Sequence, residues 1–172
     1  AFGSTTVFPK SLEKEHLFEA MRAHKVSMTI AVPRFYELFH NGIMAKIKEK
    51  AVTRILFRLV KAAHSRRLGR IVFAKVHRVF GGCINTMVSG GAKLDETICR
   101  NMIALGFNMI EGYGTSECAP MISFNRNGKV KIGSPGQPIH GSEVAIKDGE
   151  IITRGRHVMQ GYYRNPEATR RV

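Results

Sequence analysis

Two short apolar segments joined by a helical pattern constrain the fold of this chain more than any other feature. Residues 84–89 and 107–111 are predicted strands, and residues 94–105 between them have the spacing of a helix that begins near Asp95 and ends at Gly106. A helix between two strands returns the chain to the end of the sheet where the first strand began, so the strands pair in parallel. The sequence therefore predicts an α/β fold, with part of a parallel sheet flanked by helices.

The residues before this unit extend the same alternation of helix and strand. Apolar residues recur at helical spacing over residues 12–25, and a β-branched apolar run over residues 26–32 predicts a buried strand of the sheet. Pro33 ends that strand and begins the next helix, because its fixed φ suits the first helical position and its missing N–H is not needed there. The predicted parallel sheet therefore includes this strand as well.

The pattern changes in the last third of the chain. Short alternating stretches are separated by turn dipeptides, and the clearest is a hairpin around Asp148 and Gly149, a pair typical of a type I′ turn. We therefore place an internal boundary near residue 119. Residues 1–118 are predicted to be the sheet portion, and residues 119–172 part of a β-rich, barrel-like subdomain.

Most of the positive charge lies in one segment. The net charge is +14, and residues 46–78 contain eleven of the 27 Lys and Arg residues but a single acidic residue, Glu49. At helical spacing the apolar side chains of this segment share one face. That face comprises Val52, Ile55, Leu56, Leu59, Val60 and Ala63, and the opposite face carries Lys50, Arg54, Arg58 and Lys61. The segment is predicted to be a basic amphipathic helical insertion.

Three interpretations of this basic helix remain open. It is a solvated face, a site of peripheral contact with an anionic membrane, or a nucleic-acid-binding surface. Nucleic acid is disfavoured because no interleaving of aromatic and basic side chains is recognisable. The sequence has no run approaching the ~18 apolar residues of a membrane-spanning helix and no signal-peptide pattern. The predicted localisation is therefore cytoplasmic, and the membrane interpretation of the basic helix adds peripheral contact with the inner face of a membrane.

Glycine-containing turns follow both strands of the first unit. They comprise residues 89–92 and 112–117, and such strand ends form the ligand-binding edge of open α/β sheets. Glycine allows close approach of a flat ligand, and Tyr113 offers a ring for stacking. The hydroxyls of Thr115 and Ser116 suit phosphate oxygens, and the carboxylate of Glu117 suits Mg²⁺. The simpler alternative is a pair of ordinary strand-end turns, since no Walker or dinucleotide-binding glycine motif is present.

The order of the motifs along the chain favours a ligand-binding site over a pair of ordinary turns. The chain contains SGGA, EGYGTSE, GSPGQP, GEIITRG and GYYRNPEAT in that order. This series resembles the adenylate-forming, or AMP-binding, superfamily, which includes acyl-CoA synthetases, adenylation domains of peptide synthetases and luciferases. The resemblance extends over essentially the whole chain and is most specific within residues 89–169.

The resemblance implies a role for each residue of the two turns. The implied nucleotide-binding residues are Gly90, Gly91, Ala92, Glu111, Gly112, Tyr113, Gly114, Thr115 and Ser116. The backbone of the first turn would border the adenine. Gly112 and Tyr113 would form a wall of the site that contacts both the adenine and the acyl group. Ser116 and Glu117 are the implied catalytic residues: Ser116 would contact phosphate, and Glu117 would hold the metal ion. ATP and Mg²⁺ are therefore the implied cofactors, with CoA as a co-substrate.

Residues 16–43, followed by the basic insertion, resemble the long-chain fatty acyl-CoA synthetase branch of that superfamily. In the complete enzyme a fatty acid would react with ATP to give acyl-AMP and pyrophosphate, and CoA would then displace AMP. The implied partners are therefore fatty acid, ATP and CoA. Two alternatives remain: an adenylating enzyme for another carboxylic acid, and a non-enzymatic basic module that binds membrane or nucleic acid.

The chain departs from the family pattern at two residues and lacks several of its motifs. Ser116 stands where the family more often has Thr, and Lys93 where it often has Pro. The upstream phosphate loop, the ribose-binding Asp and the C-terminal lid with its catalytic Lys are not found in these 172 residues. The resemblance therefore implies an internal piece of the large N-terminal domain, which we expect to be inactive on its own.

Overall fold

A computed structural model describes residues 3–171. Ala1 and Phe2 of the first predicted portion and Val172 of the second lie outside the described residues. The helices are Lys14–Ala23 (α1), Pro33–Glu49 (α2), Ala51–Ala62 (α3), Arg66–Val72 (α4), Ala74–Val79 (α5), Glu96–Ala104 (α6) and Pro166–Thr169 (α7). The strands are Met28–Ala31 (β1), Thr86–Ser89 (β2), Asn108–Gly114 (β3), Met121–Phe124 (β4), Gln137–Pro138 (β5), Ser142–Lys147 (β6) and Glu150–Gly155 (β7). No helix in that range is both long and apolar enough to cross a membrane.

Five of the strands form one sheet whose spatial order follows the order along the chain. β1, β2 and β3 pair in parallel, which confirms the predicted parallel α/β sheet. β4 and β5 continue the sheet beyond β3 but run antiparallel. The chain reverses in a single 3₁₀ turn, Ser116–Cys118, which ends at Ala119 with a left-handed φ of 52°. The sheet is therefore mixed.

Helices pack against the sheet around one buried cluster. The cluster contains side chains of α1, α2, α3 and α6 together with side chains of β2 and β3. Phe80, just after α5, lies between helix and sheet, with its ring centroid 5.2 Å from that of Phe18 and 5.4 Å from that of Phe107. Tyr36 donates a hydrogen bond to the carbonyl of Val88 at 2.9 Å, and burial raises the pKa of Tyr36 to about 12. These contacts fix the position of β2, which leads into the first glycine-containing turn.

The first strand is less buried than its sequence predicts. Met28 and Ile30 are exposed, Ile30 by 74%, whereas Val88 and Ile110 at the register position of Ile30 are buried. The prediction of a buried strand is therefore wrong for this face of β1. β1 lies at the edge of the sheet, and the position of a strand within a sheet decides how far its faces are covered.

The basic segment over residues 46–78 forms separate helices instead of the single predicted one. Its residues belong to the end of α2 and to α3, α4 and α5. Lys50 separates α2 from α3 with an extended backbone, φ −114° and ψ 131°. His64 has a left-handed φ of 50°, and the side-chain oxygen of Ser65 then caps α4. The single-helix prediction is therefore wrong, although the segment is helical.

α3 buries only part of the predicted apolar face, together with Phe57, which lies outside that face. Phe57 and Val60 are buried, and the ring centroid of Phe57 lies 6.0 Å from that of Phe73. On the predicted basic face, Lys61 donates a hydrogen bond through Nζ to Oδ1 of Asn101 at 2.8 Å. The exposed apolar residues of α3, here called the apolar stripe, are Val52, Ile55, Leu56 and Leu59. Most of the predicted apolar face is therefore uncovered among the described residues.

The last part of the chain contains the predicted hairpin. β6 and β7 pair around Asp148 and Gly149, whose φ values of 52° and 83° match a type I′ turn. They form a two-stranded sheet of their own. β4 and β5, which also follow residue 119, belong instead to the main sheet. The division into two portions at residue 119 stays a prediction.

Candidate functional site

The two glycine-containing segments lie side by side at one end of the parallel strands. β2 ends at Ser89, which is in register with Glu111 of β3, so residues 90–92 leave the sheet beside residues 112–114. A Cβ atom added to Gly90 would lie 3.7 Å from the carbonyl oxygen of Gly112. The structure therefore brings the predicted residues together at the edge where α/β folds bind ligands.

β3 extends further than its sequence predicts. The sequence predicts a strand that ends at Glu111, but β3 continues through Gly112 and Tyr113 to Gly114, and this part pairs with β4. The prediction of a turn from residue 112 is therefore wrong, and the turn begins at Thr115. Tyr113 is exposed at this edge, so its ring remains accessible to a ligand.

The glycines of this extension are required by the neighbouring strand. A Cβ atom at Gly112 would lie 2.8 Å from the ring of Phe124, which is closer than van der Waals contact. A Cβ atom at Gly114 would overlap the carbonyl oxygen of Pro120. The sequence predicts that these glycines allow a ligand to approach, and the packing of residues 120–124 gives a reason for them that is independent of any ligand.

Glu111 connects the two segments from the interior. Its side chain is buried, and Oε1 accepts the backbone N–H of Leu94 at 3.2 Å, just beyond the first turn. Burial raises the pKa of Glu111, and hydrogen bonds from the backbone of Leu94 and Gly133, together with the charge of Lys93, oppose that rise. The carboxyl group thus supports the first turn, and a contact of Glu111 with a nucleotide stays a prediction.

The second turn presents polar side chains at the open end of this edge. Thr115 and Ser116 are exposed and Glu117 is partly exposed. Cys118 at the end of the 3₁₀ turn is buried, which anchors the turn against the fold. Two hydroxyls and one carboxylate are therefore accessible next to the backbone of the two glycine-containing segments.

Glu117 is held by residues far along the chain. Tyr162 donates a hydrogen bond through its hydroxyl to Oε1 of Glu117 at 2.6 Å, and the N–H of Met159 donates to the main-chain oxygen of Glu117 at 2.7 Å. The hydrogen bond from Tyr162 is the main cause that lowers the pKa of Glu117, and it raises the pKa of Tyr162. The carboxyl group is therefore held in its ionised form, which is the form that binds cations.

Tyr162 is a site residue that the sequence alone does not indicate. Tyr162 lies in the motif GYYRNPEAT, which contributes to the family resemblance but indicates no contact with Glu117. The contact joins residues 45 positions apart, and neither periodicity nor spacing indicates a contact over that distance in the chain.

The available donors fit a cation that is shared with a ligand. Within residues 3–171, no group of three or more His, Cys, Asp and Glu side chains is placed to hold a metal ion. Glu117 supplies one ionised carboxylate beside the Thr115 and Ser116 hydroxyls. Mg²⁺ is commonly bound by one or two carboxylates together with water and substrate phosphates. The residues present therefore fit Mg²⁺ bound with a nucleotide.

A large apolar groove lies apart from this site. Its volume is about 1180 Å³, and side chains of α1 to α5 line it. Leu56 of the apolar stripe borders the groove. Basic side chains also line it, namely Lys14, Lys46, Lys50, Lys75 and Arg78. None of residues 90–92 or 111–117 contributes to the lining, so the groove and the candidate site are separate features.

One protein-family model matches almost the whole chain. The sequence model of the family described as AMP-binding enzyme matches residues 1–163. The long-chain-fatty-acid–CoA ligase FadD15 of Mycobacterium bovis is 28% identical over 98% of this chain and 31% of its own length. The chain thus spans about a third of the length of this curated relative.

The solved structures of similar fold include enzymes that are named for different carboxylic acids. The anthranilate CoA ligase AuaEII in complex with anthranoyl-AMP has a TM-score of 0.65 at 16% identity, covering 92% of this chain and 27% of that chain. The long-chain-fatty-acid-CoA ligase FadD1 from Archaeoglobus fulgidus has a TM-score of 0.65 at 15% identity, covering 92% of this chain and 30% of that chain. At these identities the likeness shows a shared fold.

Proposed function

The chain belongs to the AMP-binding enzyme family, and on that premise we propose that it forms part of a longer enzyme that activates fatty acids. A carboxylate oxygen of the fatty acid attacks the α-phosphorus of ATP, pyrophosphate leaves and acyl-AMP forms. The thiolate of CoA then attacks the acyl carbonyl carbon, and AMP leaves. Because the residues of this chain supply only part of that machinery, we expect the chain alone to be inactive.

The observation that carries this proposal is the position of Glu117 at the open end of two adjacent backbone segments. Gly90, Gly91 and Ala92 leave little side-chain bulk on one side, so the flat face of an adenine ring can approach the backbone. Gly112 and Tyr113 form the facing wall, with the Tyr113 ring available for stacking. These residues bind and orient the nucleotide base.

The polar end of the site acts on the phosphates. Thr115 and Ser116 donate hydrogen bonds to phosphate oxygens, and the ionised Glu117 carboxylate holds the cation beside them. When bound, Mg²⁺ neutralises part of the charge on the phosphates. By fixing the base at one end and the phosphates at the other, the site orients the α-phosphorus for in-line attack.

The substrate class is tested by comparing carboxylic acids with the full-length enzyme. FadD15, similar over 98% of this chain, is named for long-chain fatty acids, and residues 16–43 resemble the same branch. We expect kcat/KM for palmitate to exceed that for octanoate and anthranilate by at least about 100-fold, because each buried CH₂ contributes about 0.8 kcal/mol. Acyl-CoA formation measures this preference. A preference for anthranilate or for an amino acid would instead support an adenylating enzyme of another specificity.

The apolar stripe of α3 favours a second, additional function at a membrane surface. Ile55 and Leu59 are 56% and 61% exposed, and Arg54 and Arg58 on the same helix are exposed as well. A helix with an exposed apolar face and flanking basic residues lies in the headgroup region of anionic bilayers. Exposed apolar side chains do not bind the phosphate groups of a nucleic acid. The same observation therefore disfavours nucleic-acid binding by this segment.

Vesicle binding tests this membrane contact. We expect the full-length protein to co-sediment with vesicles of phosphatidylglycerol and phosphatidylcholine, and Ile55→Glu to weaken this binding at least about tenfold, because it removes a side chain whose burial contributes about 2 kcal/mol. Ile146→Glu is the matched control, since Ile146 is 77% exposed on β6, outside the basic segment. Equal binding to pure phosphatidylcholine, or equal effects of the two variants, would contradict the proposal.

A further inference from the structure

The chain segment that follows β7 makes two contacts with Glu117, one to its main chain and one to its side chain. The N–H of Met159 donates to the main-chain oxygen at 2.7 Å, and the hydroxyl of Tyr162 donates to Oε1 at 2.6 Å. The first contact fixes where the residue lies, and the second fixes how its carboxylate is turned. Without the second contact, a partly exposed glutamate would sample several rotamers.

Tyr162 is itself held in place by the loop around it. Its backbone N–H donates to Oγ1 of Thr169 at 2.9 Å, and Thr169 in turn donates to the main-chain oxygen of Asn165 at 2.9 Å. The side chain of Asn165 caps α7 by accepting the N–H of Ala168 at 3.0 Å. Gly161 packs closely on this arrangement, because an added Cβ atom would lie 2.8 Å from Cγ2 of Thr169. The loop therefore presents the Tyr162 hydroxyl from a defined position.

The hydroxyl is well suited to orient a metal-binding carboxylate. A phenol is a neutral donor, so it does not compete with a cation for the negative charge as a Lys or Arg side chain would. One hydrogen bond occupies one of about four lone-pair positions of a carboxylate, so acceptor capacity remains for a cation. Partners that orient a metal ligand in this way typically contribute 10- to 100-fold in metal affinity.

We propose that Tyr162 is a positioning residue that orients the Glu117 carboxylate for the Mg²⁺ ion bound with ATP. This proposal rests on the role proposed for Glu117 and adds a residue on a distant segment to the same site. Tyr162 does not touch the reacting atoms. It acts through Glu117, so its removal changes the affinity for the cation and leaves the contacts of the adenine unchanged.

The test measures binding of Mn²⁺, a spectroscopic substitute for Mg²⁺, to the full-length enzyme with the non-reactive ATP analogue α,β-methylene-ATP. In Tyr162→Phe, we expect the Mn²⁺ dissociation constant measured by electron paramagnetic resonance to rise about 10- to 100-fold. The affinity for the analogue in EDTA is expected to remain unchanged. Tyr163→Phe is the matched control, because Tyr163 is 85% exposed and the centroid of its ring lies 5.2 Å from Cζ of Arg164. This control is expected to bind Mn²⁺ like the wild type.

A comparison with Glu117→Gln separates the two proposals. If Glu117→Gln weakens Mn²⁺ binding and Tyr162→Phe does not, the inference about Tyr162 is wrong while the role of Glu117 stands. If neither variant changes Mn²⁺ binding, both proposals are wrong. Equal weakening by Tyr162→Phe in the wild-type and Glu117→Gln backgrounds also contradicts the inference, because a residue that acts through Glu117 has a smaller effect once that carboxylate is gone.

Discussion

Glu117→Gln in the full-length enzyme is expected to lower the rate of acyl-AMP formation by about 100-fold or more. Residues that only orient a metal ligand contribute 10- to 100-fold, so loss of the charged ligand itself belongs at or above the top of that range. Glutamine has the same shape and keeps an oxygen that accepts the hydrogen bond from Tyr162. The variant therefore removes the negative charge while retaining the local packing.

The measurement is the rate of acyl-AMP formation as a function of Mg²⁺ concentration. We expect the Glu117→Gln enzyme to need more Mg²⁺ for half-maximal rate and to remain slower at saturation. Glu143→Gln is the control, since Glu143 is exposed on β6 and pairs with Arg154. It is expected to behave like the wild type. A Glu117→Gln enzyme with the wild-type rate and Mg²⁺ requirement would exclude Glu117 as the metal ligand.

Gly114→Ala is expected to destabilise the fold by about 3 kcal/mol and to lower the activity by about 100-fold. The added Cβ atom would overlap the carbonyl oxygen of Pro120 and lie 2.9 Å from Cα of Met121. Both atoms belong to the backbone, so no side-chain rotation relieves the overlap, and the turn that carries Glu117 must shift. A displacement of about 1 Å at a reacting site lowers the rate by roughly 100-fold.

Gly42→Ala is the control for this substitution. Gly42 lies within α2, and an added Cβ atom would meet no atom within 4 Å. Alanine favours a helix over glycine by up to about 1 kcal/mol, so this variant is expected to be slightly more stable than the wild type. Urea unfolding measures both effects. A Gly114→Ala protein as stable as the wild type would show that β4 does not pack on Gly114 as described.

The parallel sheet and the hairpin were predictable because local patterns specify them. The apolar run before Ser89 and the spacing of the following helix leave one arrangement of β2 and β3, and the Asp148-Gly149 pair selects a type I′ turn. The placement of residues 90–92 beside residues 112–114 follows from that topology alone. Their roles toward a nucleotide came from the family resemblance.

Three features of the structure differ from the sequence prediction or were absent from it. Gly112 and Gly114 suggested a turn, but β4 requires them within a strand. Helical spacing indicated one long basic helix, and neither a glycine nor a proline marks the break at Lys50. Tyr162 reaches Glu117 across 45 residues of sequence. This contact lies outside the window over which periodicity and turn rules operate. The break at Lys50 is accompanied by local hydrogen bonds instead, in which the Thr53 hydroxyl donates to the carbonyls of Ile47 and Lys50.

The central claim, that this chain supplies part of an adenylate-forming site, is tested most directly by pyrophosphate exchange in the full-length enzyme. Labelled pyrophosphate is incubated with ATP and palmitate in the absence of CoA, with and without Mg²⁺. The account predicts that label enters ATP only when the fatty acid and Mg²⁺ are both present, because acyl-AMP forms reversibly. Formation of ADP and phosphate without any exchange of label would contradict it.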